Sequence, residues 1–444
     1  MELTKPEKYA AYNRSSINKA SQWKSIPTEL QEAIRVVSLV LPFKVNQYVL
    51  DHLIDWDRIP DDPIYRLTFP HEDMLEPEEY RVLRELVHRE RTDAELQSAV
   101  QRIRGRMNPH PAGQLTHNVP LLEGRPLPGV QHKYKETVLL FPGAGQTCHA
   151  YCTFCFRWPQ FIGEPDLKFD ARSSEDLIEY LKRHREVSDV LITGGDPMIM
   201  NAASLEHYIR PLLSDELAHV RNIRIGTKAV SYWPQRFVCD KDSGDVLRLF
   251  EQVVKSGRNL ALMAHYNHPR ELGADMSRRA VRNILATGAT IRVQSPLVRH
   301  INDRAQDWVD LWTLSVNLGA IPYYMFVERD TGPSAYFHLP LDKAYRIFAD
   351  AYKRVSGLGR TVRGPSMSAL NGKVTIDGIV EVAGEKAFAL QYLQARQADW
   401  VRQPFLAKFD PHATWFDQLE PFSEQDAKFF EKGAAAKSFM LQVV

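Results

Sequence analysis

The chain has 444 residues, 44% of them hydrophobic and 25% charged, and its 56 basic against 55 acidic side chains leave a formal net charge of +1. That length calls for two or three structural units around more than one core, and so even a charge balance gives no electrostatic reason to expect nucleic acid or an anionic membrane as partner. The first residues, MELTKPEKYAAYNRSS, are charged and hold no apolar signal segment, and runs such as Leu39–Phe43 fall far short of the roughly 20 residues that span a bilayer, so the cytoplasm is expected.

Residues 1–110 read as a helical N-terminal region. Apolar residues recur at helical spacing over Ile26–Phe43, and Glu78–Met107 is a dense helix-favouring stretch with Pro77 just before it, where a helix start tolerates proline. Asp55–Phe69, rich in Asp and Pro, reads as a loop between them. Residues 109–131 carry five prolines and three glycines and read as irregular, extended chain.

From about residue 136 the pattern changes to short β-branched runs alternating with amphipathic helices. The strand candidates are Thr137–Phe141, Asp189–Thr193, Asn222–Gly226, Asn259–His265, Thr290–Ser295 and Ile321–Val327. The helices expected between and after them are Ser173–Glu186, Ser204–Leu213, Ser243–Ser256, Ser277–Thr287, Arg304–Leu318 and Leu341–Val355. Such alternation means parallel βαβ units. Six units are two short of a full eightfold barrel, so the expected class is α/β with a partial (β/α)6 barrel. The corresponding divisions are a helical region 1–110, a barrel 111–335 and a mixed C-terminal region 336–444, aromatic-rich and of uncertain structure after Ile379.

Three of the four cysteines, Cys148, Cys152 and Cys155, fall within eight residues directly after the first strand, in the spacing Cys-x₃-Cys-x₂-Cys. Clustering of this kind in a large cytosolic chain reads as metal or redox chemistry rather than as a disulfide framework. Three close thiolates on one loop bind three irons of a cubane cluster and leave the fourth iron open to a ligand. A zinc site completed by His149 or Cys239 is the competing reading, because structural zinc wants four protein ligands. The end of a strand, where α/β barrels place their chemistry, favours a functional cluster. Cys239, alone in the sequence, reads as a buried structural thiol.

With Phe154 before the last cysteine, the motif resembles that of the radical S-adenosylmethionine (SAM) superfamily. The resemblance implies a 4Fe–4S cluster on Cys148, Cys152 and Cys155 that binds SAM at its open iron and reduces it to a 5′-deoxyadenosyl radical. It implies that Phe154 packs near adenine. Thr193-Gly-Gly-Asp-Pro197, after the second strand, looks like the motif that holds the SAM amino group, through Gly194, Gly195 and Asp196. A plain glycine turn at a strand end is the bland alternative, and Gly-Gly also allows close backbone approach to a ligand.

The resemblance sharpens to the lysine 2,3-aminomutase-like branch over most of residues 40–380. Matching segments are Pro42–Leu50, Asp55–Asp57 with Asp62–Ile64, Ile223–Lys228 with Pro234–Arg236, His265–Pro269 and Gln294–Asp303. It implies SAM contacts for His265 and Gln294, and pyridoxal 5′-phosphate (PLP) as a second cofactor whose π-system carries the difficult electronics. Lys373 is the candidate Schiff-base lysine, although Gly364–Lys373 is longer than the family's loop and lacks its glycine run. Lys133 and Tyr134 stand in the phosphate-binding segment, where Thr137 replaces an arginine; lysine binds phosphate as a point charge rather than a fork.

Arg157 matches the family arginine for the substrate α-carboxylate, a bidentate pairing that would hold the reacting carbon near the cluster. Where the lysine enzyme holds a distant ammonium with two aspartates, this chain has Glu328, with Asp330 close by, and Arg363. An arginine there argues against a lysine substrate. The expected activity is therefore a PLP-dependent amino acid 2,3-aminomutase (an isomerase) acting on a small amino acid other than lysine. A PLP-independent radical SAM enzyme and a non-catalytic iron–sulfur or zinc protein remain as alternatives. An electron donor such as flavodoxin or ferredoxin is implied, and the family's N-terminal arm suggests a homo-oligomer. No cysteine follows Cys239, so the C-terminal metal site of some relatives is not expected.

Overall fold

In the computed structural model, residues 8–88, 93–108, 118–163, 168–171 and 173–431 are described. Eleven strands form one sheet: β1 (Val130–Tyr134), β2 (Thr137–Leu140), β3 (Asp189–Ile192), β4 (Asn222–Thr227), β5 (Asn259–His265), β6 (Thr290–Leu297), β7 (Ile321–Val327), β8 (Arg363–Ser368), β9 (Gly372–Val382), β10 (Glu385–Ala395) and β11 (Pro404–Lys408). They lie side by side in chain order. β2 to β8 run parallel, β1 is antiparallel to β2, and β9 to β11 continue the sheet antiparallel.

The parallel strands form because β-branched and aromatic residues suit a surface covered by helices. Their buried residues, such as Val190, Ile192, Ile223, Ile225 and Leu262, join a single core with the inner faces of helices Glu175–Arg183, Ala202–Ile209, Ser243–Lys255, Asp275–Ala286 and Ala305–Asn317. All six expected strands and the helices between them are present within a few residues. β8 is an additional parallel strand, and β9–β11 bring the first part of the expected aromatic tail into the sheet. The sheet thus runs unbroken across residue 335.

The first and last strands are not paired with each other, yet the sheet is curled. Lys133 Nζ on β1 donates to the Ala369 carbonyl just after β8, at 2.5 Å. Seven strand steps in a flat sheet would separate those strands by roughly 33 Å, far beyond a lysine's reach.

The N-terminal region is helical as expected, with Thr28–Val37, Pro77–His88 and Asp93–Met107; residues 89–92 between the last two lie outside the described set. The expected loop Asp55–Phe69 instead contains helix Pro63–Thr68. Its start is fixed by Asp62, whose carboxylate accepts from the Ile64 and Tyr65 amides, and by Pro63 at the first helical position. Of the expected irregular stretch, 109–117 lies outside the described residues, and Leu121–Leu122 with Arg125–Pro126 forms a two-residue ladder. Among the described residues no helix is long and apolar enough to cross a membrane.

Candidate functional site: a cysteine loop and a cationic cradle

The cysteine loop leaves β2 and is gripped from two sides. From the N-terminal region, Tyr9 Oη donates to the His149 carbonyl (2.8 Å), Lys44 Nζ to the Cys148 carbonyl (2.7 Å), and the Tyr151 and Thr153 amides donate to the carbonyls of Lys44 and Leu67. From the sheet, the Asp196 amide donates to the carbonyls of Gly145 and Thr147. A Cβ at Gly195 would stand 2.5 Å from the Thr147 amide nitrogen, and one at Gly194, whose φ is +151°, 2.5 Å from the Gln146 side-chain nitrogen. The glycine pair is therefore the seat on which the residues just before Cys148 rest. Side chains there would push the loop off the sheet.

Asp196 is almost fully buried. Its carboxylate accepts from Met198 N (2.9 Å), Thr227 Oγ1 (2.7 Å) and Lys228 N (2.8 Å), joining the ends of β3 and β4. Burial nevertheless pushes it up to about 6, against those hydrogen bonds. Its visible work is to fix the strand ends beneath the loop.

The three thiols lie close enough to perturb one another. Burial, with Asp196 and then the other two sulfurs, drives Cys148 well up; Cys152 rises to about 11 and Cys155 to about 12. Without metal all three are neutral thiols at pH 7. Among the described residues no three His, Cys, Asp or Glu side chains are gathered tightly enough for a single metal ion. Cubane ligation asks for something else, since each thiolate binds its own iron and the sulfurs stand apart. The donor set, three cysteines on one loop whose thiols are not drawn around a single ion, fits a 4Fe–4S cluster better than zinc.

Around the loop, Phe154 meets His265 edge to face at 6.1 Å between ring centres. His265 ends β5, and Gln294 lies directly beside it in the β5–β6 register. Burial and the Lys228 charge hold His265 well below its ordinary range, hence neutral. Glu328 is buried within electrostatic reach of Cys152 and Cys155, and burial pushes its carboxyl well up. Arg157 lies on the Phe141 ring at 4.4 Å and donates to Gln146 Oε1 (3.2 Å), while its buried Nε has no partner. Burial lowers it to about 10. A guanidinium so placed keeps a buried donor from which a carboxylate oxygen can accept.

The second group collects on the inner side of the curled sheet. Lys373, on β9, rests over the rings of Tyr324 (4.1 Å) and Phe326 (5.4 Å), and Arg363 over Tyr323 (4.4 Å) and Tyr324 (4.2 Å). Burial, then Arg363 and Arg224, brings Lys373 down to about 7. Lys133 is held well below its ordinary value by burial and by Arg396, Arg329 and Lys373, and its neighbour Tyr134 feels Arg396 and Arg329 as well. Arg396 Nε donates to the Leu370 carbonyl (3.1 Å), one residue from the carbonyl that Lys133 holds. No carboxylate contributes to the shifts of Lys133 or Lys373. A lysine lowered to about 7 beside further cations fits PLP, which needs an amine to bond and a phosphate to be gripped.

The structure thus gathers Cys148, Cys152, Cys155, Phe154, Gly194, Gly195, Asp196, His265, Gln294, Arg157 and Glu328 around the loop, and Lys133, Tyr134, Lys373 and Arg363 in the cradle. Asp330 joins neither group; its charge falls on His338. The sequence reading assigned no role to Tyr9, Lys44, Lys228, Tyr232 or Arg396. Of these, Lys44 and Lys228 stand in segments that carried the resemblance, whereas Arg396 lies beyond them.

No family model matches the chain. It is 33% identical over 396 residues, 88% of its own length and 91% of the relative's, to a protein of Aquifex aeolicus provisionally named L-lysine 2,3-aminomutase. It is 30% identical over 232 residues to the L-lysine 2,3-aminomutase of Acetoanaerobium sticklandii, a match covering 52% of each chain. The Escherichia coli protein of that name is 28% identical over 251 residues, 55% of this chain and 69% of its own. Among solved structures, Streptococcus suis SuiB bound to its precursor peptide SuiA aligns at a TM-score of 0.38 with 13% identity, over 53% of this chain and 50% of that one.

Proposed function

The chain belongs to the lysine 2,3-aminomutase family of radical SAM enzymes, and from that premise we propose that it is a PLP-dependent 2,3-aminomutase for an amino acid other than lysine. The observation that carries the PLP assignment is the convergence of Lys373 with Lys133, from strands at opposite ends of the parallel array, in a cradle lined by cations and aromatic rings. Once bound, the cluster supplies the electron that cleaves SAM, and PLP a π-system that spreads a substrate radical while nitrogen migrates.

The chain's own residues do the rest. Cys148, Cys152 and Cys155 hold the cluster as thiolates, and neutral His265 with Gln294 and Phe154 lines the space beside it for SAM. Arg157 takes the substrate carboxylate with its free Nε and so fixes the reacting carbon near the cysteine loop. Lys373 offers a neutral amine at pH 7. Lys133 and Tyr134, with Arg396, hold the phosphate. Arg363 over two tyrosine rings stands where the lysine enzyme has an aspartate and disfavours a substrate ammonium; an anionic, zwitterionic or neutral polar tail suits it.

We read the curled array as a partial barrel whose bore holds both cofactors. This is supported by the Lys133–Ala369 bond across its opening. The division at about residue 110 separates the helical arm from the barrel, and the lysine-bearing extension after about 335 continues the barrel's sheet. A cytoplasmic setting with a flavodoxin- or ferredoxin-type reductant suits the oxygen-sensitive chemistry, and the N-terminal arm is the surface for a homo-oligomer.

The test is anaerobic. Protein loaded with iron and sulfide and given PLP should show a visible absorption band of lysine-bound cofactor, absent in Lys373→Ala. Given SAM and reductant, it should isomerise an acidic or neutral amino acid in preference to lysine. A band unchanged by Lys373→Ala would favour the PLP-independent reading, and efficient turnover of lysine would overturn the substrate assignment.

A further inference from the structure

The sulfur of Cys152 has a neighbour that neither the cluster motif nor the cofactor assignments use. Tyr232 closes the short helix Ala229–Tyr232 after β4, is 1% exposed, and places its hydroxyl 3.2 Å from Cys152 Sγ. The residue is fixed at three points. Asn46 Nδ2 donates to its carbonyl (2.8 Å), its own amide donates to the Lys228 carbonyl (2.9 Å), and Lys228 Nζ sits over its ring at 4.6 Å.

Lys228 is held in turn. Its ammonium donates to Glu271 Oε1 (2.6 Å), Asn267 Oδ1 (2.9 Å) and the His265 carbonyl (3.3 Å). Glu271, fully buried, also accepts from Ser231 Oγ (2.5 Å) and from the amides of Asn267 (2.6 Å) and His268 (2.8 Å). The Lys228 charge also acts on Cys152 directly, opposed by Glu271, and the ion pair keeps the tyrosine still.

A buried hydroxyl seeks a partner. In the free thiol either atom can donate. When Cys152 ligates iron its sulfur has no proton, and the tyrosine must donate. An O–H···S bond withdraws charge from the thiolate and favours the more negative, reduced cluster, because hydrogen bonds to the sulfurs are among the factors that set iron–sulfur potentials.

We propose that Tyr232 is a positioning residue for electron transfer, whose hydrogen bond to the Cys152 sulfur raises the reduction potential of the cluster. The proposal rests on the reading that Cys148, Cys152 and Cys155 hold a 4Fe–4S cluster. It requires nothing of PLP or of the substrate.

The experiment compares full-length wild type with Tyr232→Phe, both reconstituted anaerobically. Iron and sulfide content are measured first, then the midpoint potential by an electron paramagnetic resonance redox titration, with and without SAM. Phenylalanine keeps the ring that Lys228 covers and removes only the hydroxyl. The expected result is equal cluster content with a more negative midpoint in the variant, and a smaller fraction reduced at a fixed applied potential. Equal loading with an unchanged or more positive midpoint would overturn the proposal. So would failure of the variant alone to load a cluster, since Tyr232 would then be a folding element. Failure of the wild type itself to form a 4Fe–4S cluster would instead remove the underlying reading.

Discussion

Arg157 and Lys373 are both buried basic groups, the one packed on an aromatic ring and the other crowded by further cations, and each makes a distinct forecast. Removing Arg157 takes away a crowded charge with no acidic partner, so Arg157→Met should leave thermal stability of the ligand-free protein unchanged or higher. The same change should raise the substrate KM about ten- to a hundredfold, the equivalent of roughly 1.5–3 kcal/mol for a charge-assisted hydrogen bond. Calorimetry paired with steady-state kinetics separates the two effects; a less stable variant with normal KM would refute the assignment. For Lys373, burial lowers the amine from 10.5 to about 7. The neutral amine is the form that bonds PLP, so the rate of PLP capture should climb through about pH 7 and level off above it, rather than rising on toward 10.5. The accompanying stability has the opposite sense to a salt-bridged lysine. The unfolded chain binds the extra proton between those values, so this lysine's contribution to stability improves as pH rises from about 7 and is weakest below it. Stopped-flow absorbance across that range tests the first point, and denaturant midpoints of wild type against Lys373→Met test the second.

At the scale of elements, the glycine seat gives the sharpest expectation. Gly195→Ala would drive a methyl group to 2.5 Å from backbone of the cysteine loop, which cannot yield as a side-chain tip would. A cost of about 1–3 kcal/mol is usual for such overpacking. The expected signature is low iron content together with a lowered melting temperature. The elements also show what a sequence can carry. The six expected strands were legible because runs such as VLI and NIRIGT are β-branched and bounded by turn residues. β8, sequence RGPSMS, has no such run. It is a strand only because β7 and β9 pair with it on either side. Helix Pro63–Thr68 was hidden by reading Asp62-Pro63 as loop punctuation, when Asp followed by Pro is also a helix start. The cysteine loop was legible because its ligands are neighbours in sequence. Tyr232 and Arg396 were not, because what gives them a role is a partner 80 residues away in one case and a carbonyl 26 away, across a strand pair, in the other.

For the whole molecule, the N-terminal region is structurally part of the cysteine site. Its core, built on residues such as Val37, Val49 and Tyr65, also takes in Ala150, Phe154, Trp158, Tyr232 and Trp233. A chain lacking residues 1–54 would lose the Lys44 and Asn46 bonds to the loop and uncover that core. It should fail to retain iron even if the sheet still forms, which iron analysis alongside circular dichroism would test. If the truncated protein loaded a full cluster, the grip described here would be dispensable.

The bond from Lys133 to the Ala369 carbonyl joins residues 236 positions apart. During synthesis the chain emerges from its N-terminus. The three cysteines, Lys44, Asn46, the Gly194–Asp196 seat, Lys228, Tyr232 and His265 all precede residue 266. Ala369, Lys373 and Arg396 follow about a hundred residues later or more. Closing so long a loop is slow, and the cradle of Lys133, Lys373 and Arg396 is not assembled until it closes. If both cofactors bind as proposed, maturation has a direction: iron and sulfide would find much of their berth while the far end of the sheet is still being made, and the aldehyde cofactor would come last.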